Sequence, residues 1–359
     1  MLPTPEPVTL LIADISGYTK FLAATEIAHA QDIVADFLST VIEALAPQFR
    51  LAKYEGDAVF LAAAGAPPDS SVLEDLAEGA YFAFRRRQRD VRQATSCTCA
   101  ACAAMGGLDL KIVVHTGEAI RQRLGGQEDF AGRDVILVHR LLKNRVTETF
   151  GPAAYALYTA SCLVDCADPA RRGLAPHEET DATLGAIPVW RRDLAAAWAA
   201  AAAGTGRFVT SAEALVTWEF ALAAPPPMVW EYLTVPGLWQ AWSKADEITE
   251  ASDSGRRGEG SVNHCAHGGA VLVEKIISWR PCDTYTTAIL LPVPDAPEIV
   301  MTRELVADGQ GGTRLFFHVA RPAPADEPFV RQAGAEFSAT LPTSIARMEA
   351  MMREALPAA

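Results

Sequence analysis

The sequence predicts an α+β chain of two domains. A ferredoxin-like β-α-β-β-α-β domain over 1–185 is joined by an alanine-rich linker at 186–210 to a second domain over 211–359, antiparallel strands closed by a long helix. Three observations carry this. Strand and helix periods of apolar residues succeed one another in β-α-β-β-α-β order before residue 150. After Trp190 the chain turns to Arg-Arg-Asp-Leu and then to alanine, a strong helix former with little bulk to pack, ending in Gly204-Thr-Gly206. Trp218, Trp230, Trp239, Trp242 and Trp279, five of the seven tryptophans, lie beyond that tract and mark a separate core. A length of 359 residues also suits two domains of roughly 150 residues better than one.

Taken in order, 8–14 is a continuous apolar run and reads as a buried strand. Phe21, Ile27, Ala30, Val34, Phe37, Leu38, Val41 and Leu45 then recur at helical spacing until Pro47. Residues 49–64 read as two short strands around Glu55-Gly-Asp57, a tight-turn signal. A helix over 71–94 ends in the basic run Arg85-Arg-Arg-Gln-Arg, a strand follows at 108–115, and a further helix spans 132–145. This layout implies an antiparallel sheet with helices on one face.

Half the residues are hydrophobic and 21% are charged, enough to build large cores and to exclude a disordered chain. A net charge of −13 repels nucleic acid and anionic membrane, so neither is expected as a partner. The small-apolar run at 194–203 falls well short of the roughly 20 residues of a membrane span, and the N-terminus carries no signal-peptide pattern. Seven cysteines, an odd number, fit a reduced cytoplasmic protein.

The predicted topology gives two aspartates a shared place. Asp14 closes the first strand and Asp57 sits at the turn of the hairpin, adjacent at one edge of the sheet. Converging carboxylates repel unless a cation joins them, and hard oxygens with open positions suit Mg²⁺ or Mn²⁺ carrying a nucleotide's phosphates. Read singly, each has a plainer explanation: Asp14 caps the next helix and Asp57 makes the turn.

Four blocks then match a known family in order and spacing across about residues 7–160. They are Ile12-Ala-Asp14-Ile-Ser-Gly-Tyr-Thr19, Lys53-Tyr-Glu-Gly-Asp57-Ala, Lys111-Ile-Val-Val-His-Thr-Gly-Glu118 and Gly132-Arg-Asp-Val-Ile-Leu-Val-His-Arg140-Leu. Together they resemble the class III nucleotide cyclase catalytic domain, in a divergent bacterial branch. The resemblance implies a metal set of Asp14, Ile15 and Asp57 holding two Mg²⁺ or Mn²⁺ per site. It places base recognition on Lys53 and Asp129 and the transition-state arginine on Arg140. It further implies a homodimer, because the family takes its metal aspartates from one subunit and its base-reading and arginine residues from the other. Ile136 departs from the pattern. The family carries an asparagine there, four residues before the arginine, and isoleucine donates no hydrogen bond. Asn144, one turn after Arg140, shares its helix face and is the candidate to compensate.

Cys97-Thr-Cys99-Ala-Ala-Cys102 lies between the basic helix end and the next strand, as an insertion relative to the family. Three thiolates at this spacing suit a structural Zn²⁺ that finds a fourth ligand elsewhere. The alternative is three small residues buried in an alanine-rich loop. Cys162 and Cys166 are distant in sequence, His115 is on a strand, and His29 reads as a surface or interface residue.

In the second domain 217–222 alternates as a strand, and Pro225-Pro-Pro-Met-Val-Trp starts a helix with its prolines in the first turn. Residues 236–242 form a second short helix, and strands follow near 260–264 and at 270–279, 284–291, 299–307 and 313–320, with Gly309-Gln-Gly-Gly312 as a hairpin turn. A last helix, 327–355, puts Phe329, Ala333, Phe337, Leu341, Ile345, Met348 and Met352 on one face, with a kink at Pro342. This order resembles the START-like (SRPBCC, polyketide cyclase/dehydrase-like) helix-grip fold, which implies an apolar cavity for a lipid-like or aromatic ligand. The alternative is a filled core. His264, His267, Glu274 and Arg303 are candidates to project inward.

Three functions follow. The first is a signalling enzyme, a cyclase converting a nucleoside triphosphate, with ATP the expected substrate, to cyclic nucleotide and pyrophosphate under control of a hydrophobic small molecule. The second is a cyclase-like nucleotide sensor or dimerisation module without turnover, which Ile136 favours. The third is a lipid- or polyketide-binding protein.

Overall fold

A run of apolar side chains with no break makes the first strand, β1 (Glu6–Ser16), which buries residues 8–13 on both faces as the middle strand of a sheet must. The computed structural model describes residues 4–124, 127–151, 153–203 and 206–356. After β1 come α1 (Tyr18–Ala23) and α2 (Ile27–Leu45), then the hairpin of β2 (Arg50–Tyr54) and β3 (Ala58–Ala64). Asp69 accepts the Val72 N–H at 2.9 Å and so starts α3 (Ser70–Ala94). The cysteine-bearing segment holds α4 (Ala100–Ala104) and leads into β4 (Asp109–Leu124). Next are β5 (Gln127–Ala131), α5 (Arg133–Leu142), α6 (Val146–Phe150), β6 (Tyr155–Thr159), β7 (Ala175–Asp181), β8 (Gly185–Asp193) and α7 (Leu194–Ala203).

The sheet runs β2-β3-β1-β4-β6-β8-β7, with β5 folded back on β4. Its first four strands are antiparallel and arranged as the β-α-β-β-α-β layout predicts, with β1 between β3 and β4. The expectation of helices on one face needs correction. Val138 and Leu141 of α5 and Val146 of α6 join Val8, Leu10, Ile12, Phe60 and Val113 in one core, while Leu11, Ala13 and Ile15 are buried on the opposite side of β1. Both faces are therefore covered. β6 runs parallel to β4, and β7 and β8 extend the sheet beyond the predicted strands.

The linker expected at 186–210 also changes. Residues 186–193 belong to β8, paired with β6 and β7, and the chain divides within the alanine tract into units Met1–Ala202 and Ala203–Ala359. Gly204 and Thr205 lie outside the described residues.

The second unit comprises β9 (Ala214–Leu222), α8 (Pro226–Thr234), α9 (Pro236–Ser243), β10 (Glu247–Ala251), β11 (Val262–His267), β12 (Ala270–Arg280), β13 (Thr284–Leu290), β14 (Ile299–Ala307), β15 (Thr313–Ala320) and α10 (Glu327–Ala355). All its strand pairs are antiparallel, in the order β10-β11-β12-β13-β14-β15-β9. Proline occupies the first turn of both α8 and α9, where its missing N–H costs nothing. Val330, Leu341, Ile345, Met348 and Met352 are the buried side chains of α10, which is helical through Pro342. They pack with Trp230, Trp242, Tyr285 and Phe317. No helix among the described residues is long and apolar enough to cross a membrane.

Candidate functional site

The two predicted aspartates meet. Asp14 stands opposite Ala58 of β3, one residue from Asp57, and the Ile15 N–H donates to the Asp57 carbonyl at 3.0 Å. The hairpin that aims Asp57 depends on Gly56, whose φ of +75° is a left-handed conformation that glycine adopts without strain, and the Glu55 N–H closes the turn on the Ala58 carbonyl at 2.8 Å. Across β4, Lys111 faces Asp14 and brings its Nζ to 3.3 Å from Oδ1. Burial pushes the Asp14 carboxyl above its ordinary range; Lys111 opposes that and Asp57 adds to it. Burial likewise raises Asp57. Two carboxylates held this way favour an added cation, and Lys111 already seats one positive charge beside Asp14. The donor set thus fits a hard divalent ion. Ile15 has a buried side chain, so only its backbone is available to such an ion.

The other predicted residues sit on neighbouring elements. Lys53 follows a register shift in β2 and is exposed, and β2 packs against β5, which carries Asp129. Arg140 on α5 is 54% exposed, with its guanidinium 3.8 Å from Asp181. Ile136 is 55% exposed on the same helix. Asn144 is committed elsewhere: its Nδ2 donates to the Leu141 carbonyl at 2.8 Å, and its Oδ1 accepts from the Val146 N–H at 3.0 Å and the Tyr155 hydroxyl at 2.8 Å. That is the work of a turn between α5 and α6.

Two further residues dock α5, and sequence reasoning assigned neither a role. Asp134, in the first turn, accepts the Glu118 N–H at 2.7 Å. It can do so because Gly117 has no Cβ; one built there would run into the Asp134 carboxylate. His139 places Nδ1 2.7 Å from the Val135 carbonyl and Nε2 3.0 Å from Glu55, tying α5 to the hairpin that carries Asp57. The signal for Asp134 was present in the Gly117-Glu118 pair; the pairing of His139 with Glu55 spans 84 residues and leaves none.

The cysteine-bearing segment corrects the reading of His29. Its Nδ1 lies 3.1 Å from Cys99 Sγ, 3.9 Å from Cys102 Sγ and 4.0 Å from Cys97 Sγ. One potential ligand atom from each of the four residues lies within 4.8 Å of all the others. The set that looked one ligand short therefore has its fourth member, 68 residues before Cys97.

The second unit carries a half-open pocket of about 750 Å³ lined by Trp218, Trp239, Tyr285 and Phe337, with Glu274 and Arg303 as buried polar groups. Arg303 donates to Thr287 Oγ1 at 2.7 Å and to both Glu274 oxygens at 3.1 and 3.2 Å, and lies over the Tyr285 ring at 5.0 Å. His267 also lines the pocket, and both it and His264 are exposed.

Residues 34–149, less than half the chain, match the family described as protein of unknown function DUF2652. The chain is 37% identical over 143 residues to the uncharacterized protein Rv2561/Rv2562 of Mycobacterium tuberculosis (strain ATCC 25618 / H37Rv), a match covering 40% of this chain and 64% of that protein, under two thirds of its length. Solved structures similar over about half of the chain include the guanylyl cyclase Cya2 and the adenylyl cyclase CyaB from P. aeruginosa. The first is 16% identical at a TM-score of 0.41, covering 53% of this chain and 93% of that one. The second is 15% identical at 0.39, covering 54% and 99%.

Proposed function

We propose that the first unit is a divergent nucleotide cyclase of the class III type, acting on a nucleoside triphosphate, with ATP the expected substrate, and that the second is a START-like domain whose hydrophobic ligand regulates it. The observation that carries the enzyme reading is the pair Asp14 and Asp57, both raised by burial, with Lys111 against the first. Asp14 and Asp57, with the Ile15 backbone, would hold the divalent ions. When bound, these ions supply Lewis acidity toward the ribose 3′-hydroxyl and the triphosphate. The chain's own side chains do the rest. In the homodimer that the resemblance implies, Lys53 and Asp129 of one copy orient the purine bound at the other's aspartates, and Arg140, loosely paired and half exposed, turns to the charge developing on the transferring phosphoryl group. Asp134 and His139 hold α5 so that Arg140 has a fixed base. In the second unit the aromatic walls take an apolar body, and the Arg303–Glu274 pair meets a polar end.

A second reading has its own observation. Ile136 offers no donor and Asn144 is occupied, so one preorganised contact of the family is missing, worth about 2.7–4 kcal/mol of transition-state stabilisation. This favours slow turnover, or a nucleotide sensor with none.

The test incubates the pure full chain with ATP or GTP and Mn²⁺ and measures cyclic nucleotide and pyrophosphate by mass spectrometry. Product that disappears with Asp57→Ala supports the enzyme. Nucleotide binding by calorimetry without product supports the sensor. Absence of both overturns the nucleotide reading and leaves the second unit's ligand as the function.

A further inference from the structure

We infer that His29, Cys97, Cys99 and Cys102 form a closed structural zinc site that fastens the segment between α3 and β4 to the start of α2. Four donors on two separate segments converge on a volume the size of one ion. With Zn–S near 2.3 Å and Zn–N near 2.0 Å, a tetrahedral site requires S···N edges of about 3.5 Å. The three S···Nδ1 separations of 3.1, 3.9 and 4.0 Å bracket that value. Nδ1, which lies within 4.0 Å of all three sulfurs, is assigned as the ligand atom, although Nε2 also approaches Cys102 Sγ, at 3.7 Å.

The donor chemistry selects the metal class. Soft thiolates with one imidazole suit Zn²⁺ and leave hard ions such as Mg²⁺ to the aspartates. The surroundings support the thiolates: the Cys102 N–H donates to Cys99 Sγ at 3.4 Å, and the Thr95 hydroxyl lies 3.9 Å from Cys102 Sγ. Glu26, next to α2, accepts the Ala101 N–H at 3.3 Å, so the two segments already touch. Cys102 is buried, Cys99 and His29 are half-buried, and Cys97 is exposed, which leaves a way in for the ion. Four coordinate bonds form on binding, and the three thiol protons leave to solvent.

The experiment uses the full chain, purified with reductant and without chelator. Elemental analysis is expected to find one zinc per chain. X-ray absorption of that wild-type protein should count three sulfurs and one nitrogen around it. Co²⁺ exchanged into the site should give thiolate charge-transfer and tetrahedral d–d bands, the latter shifted by His29→Asn. Cys99→Ser should weaken zinc binding by at least about 100-fold, whereas Cys166→Ser, outside the cluster, should leave it unchanged. Less than a tenth of an equivalent of zinc in fully reduced, zinc-supplied wild type overturns the proposal. So does a wild-type absorption spectrum with fewer than three sulfurs or no nitrogen, a result that needs no variant to fold.

Discussion

Two clusters in the first unit face cations in opposite ways. Asp14 and Asp57 present hard oxygens at the open end of a hairpin, with burial raising both carboxyls and one lysine beside them. His29 and the three cysteines gather three soft sulfurs and one imidazole around one point, from two segments of the chain. Under the proposed function the oxygen pair would share its ion with a nucleotide's phosphates, whereas the proposed zinc site would need no substrate to complete it. An open site suits a metal that arrives with its nucleotide, and a closed one suits a metal that holds the chain.

The largest effect that would break this contrast concerns turnover. Asp57→Ala is expected to lower product formation about a thousandfold, near 4 kcal/mol, while zinc content stays constant; a parallel loss of zinc would mean the two clusters are not independent. Next comes stability. Stripping zinc with a chelator should cost about 3 kcal/mol and lower the thermal midpoint by about 6–12 °C, whereas removing Mg²⁺ or Mn²⁺ should move it by less than about 2 °C, as differential scanning fluorimetry can read. Gly117→Ala should cost about 1–3 kcal/mol, because the new methyl displaces the Asp134 carboxylate and with it α5. That variant should lower kcat through Arg140 and leave zinc bound.

The smallest effect is a pH slope. Burial lowers the pKa of His115, with Asp134, 3.4 Å away, opposing this in part. The folded chain therefore takes up this proton later than the unfolded chain does as pH falls. Stability attributable to His115 is full above the ordinary histidine value, about pH 6.5, and declines below it. His115→Gln should flatten the acid limb of denaturant-unfolding free energy against pH by up to one proton; an unchanged slope would assign the limb to other groups.

The blocks legible from sequence were those whose chemistry is local. Asp14 at a strand end, Gly56 in a hairpin and prolines opening α8 and α9 each act within a few residues, so their roles follow from spacing. The short strands β6 to β8 were missed for a physical reason. β6 is five buried residues with no alternation, and β7 and β8 carry mixed polar faces at the sheet's far edge. Their identity as strands depends on pairing with β4 and with one another. Asn144 looked like a free donor on the face of Arg140, and only the turn into α6 shows its amide occupied.

Sequence by itself determined the α+β class, the order of the first four strands and the placing of Asp14 beside Asp57, because periodicity and turn chemistry act over short range. Tertiary structure alone decided the second helical face, the docking of α5 through Gly117, Asp134 and His139, and the burial of Arg303 against Glu274. It alone brought His29 to the three cysteines. Nothing in a stretch of helix announces a partner 68 residues away; that contact exists only once α2 and the segment before β4 are packed side by side.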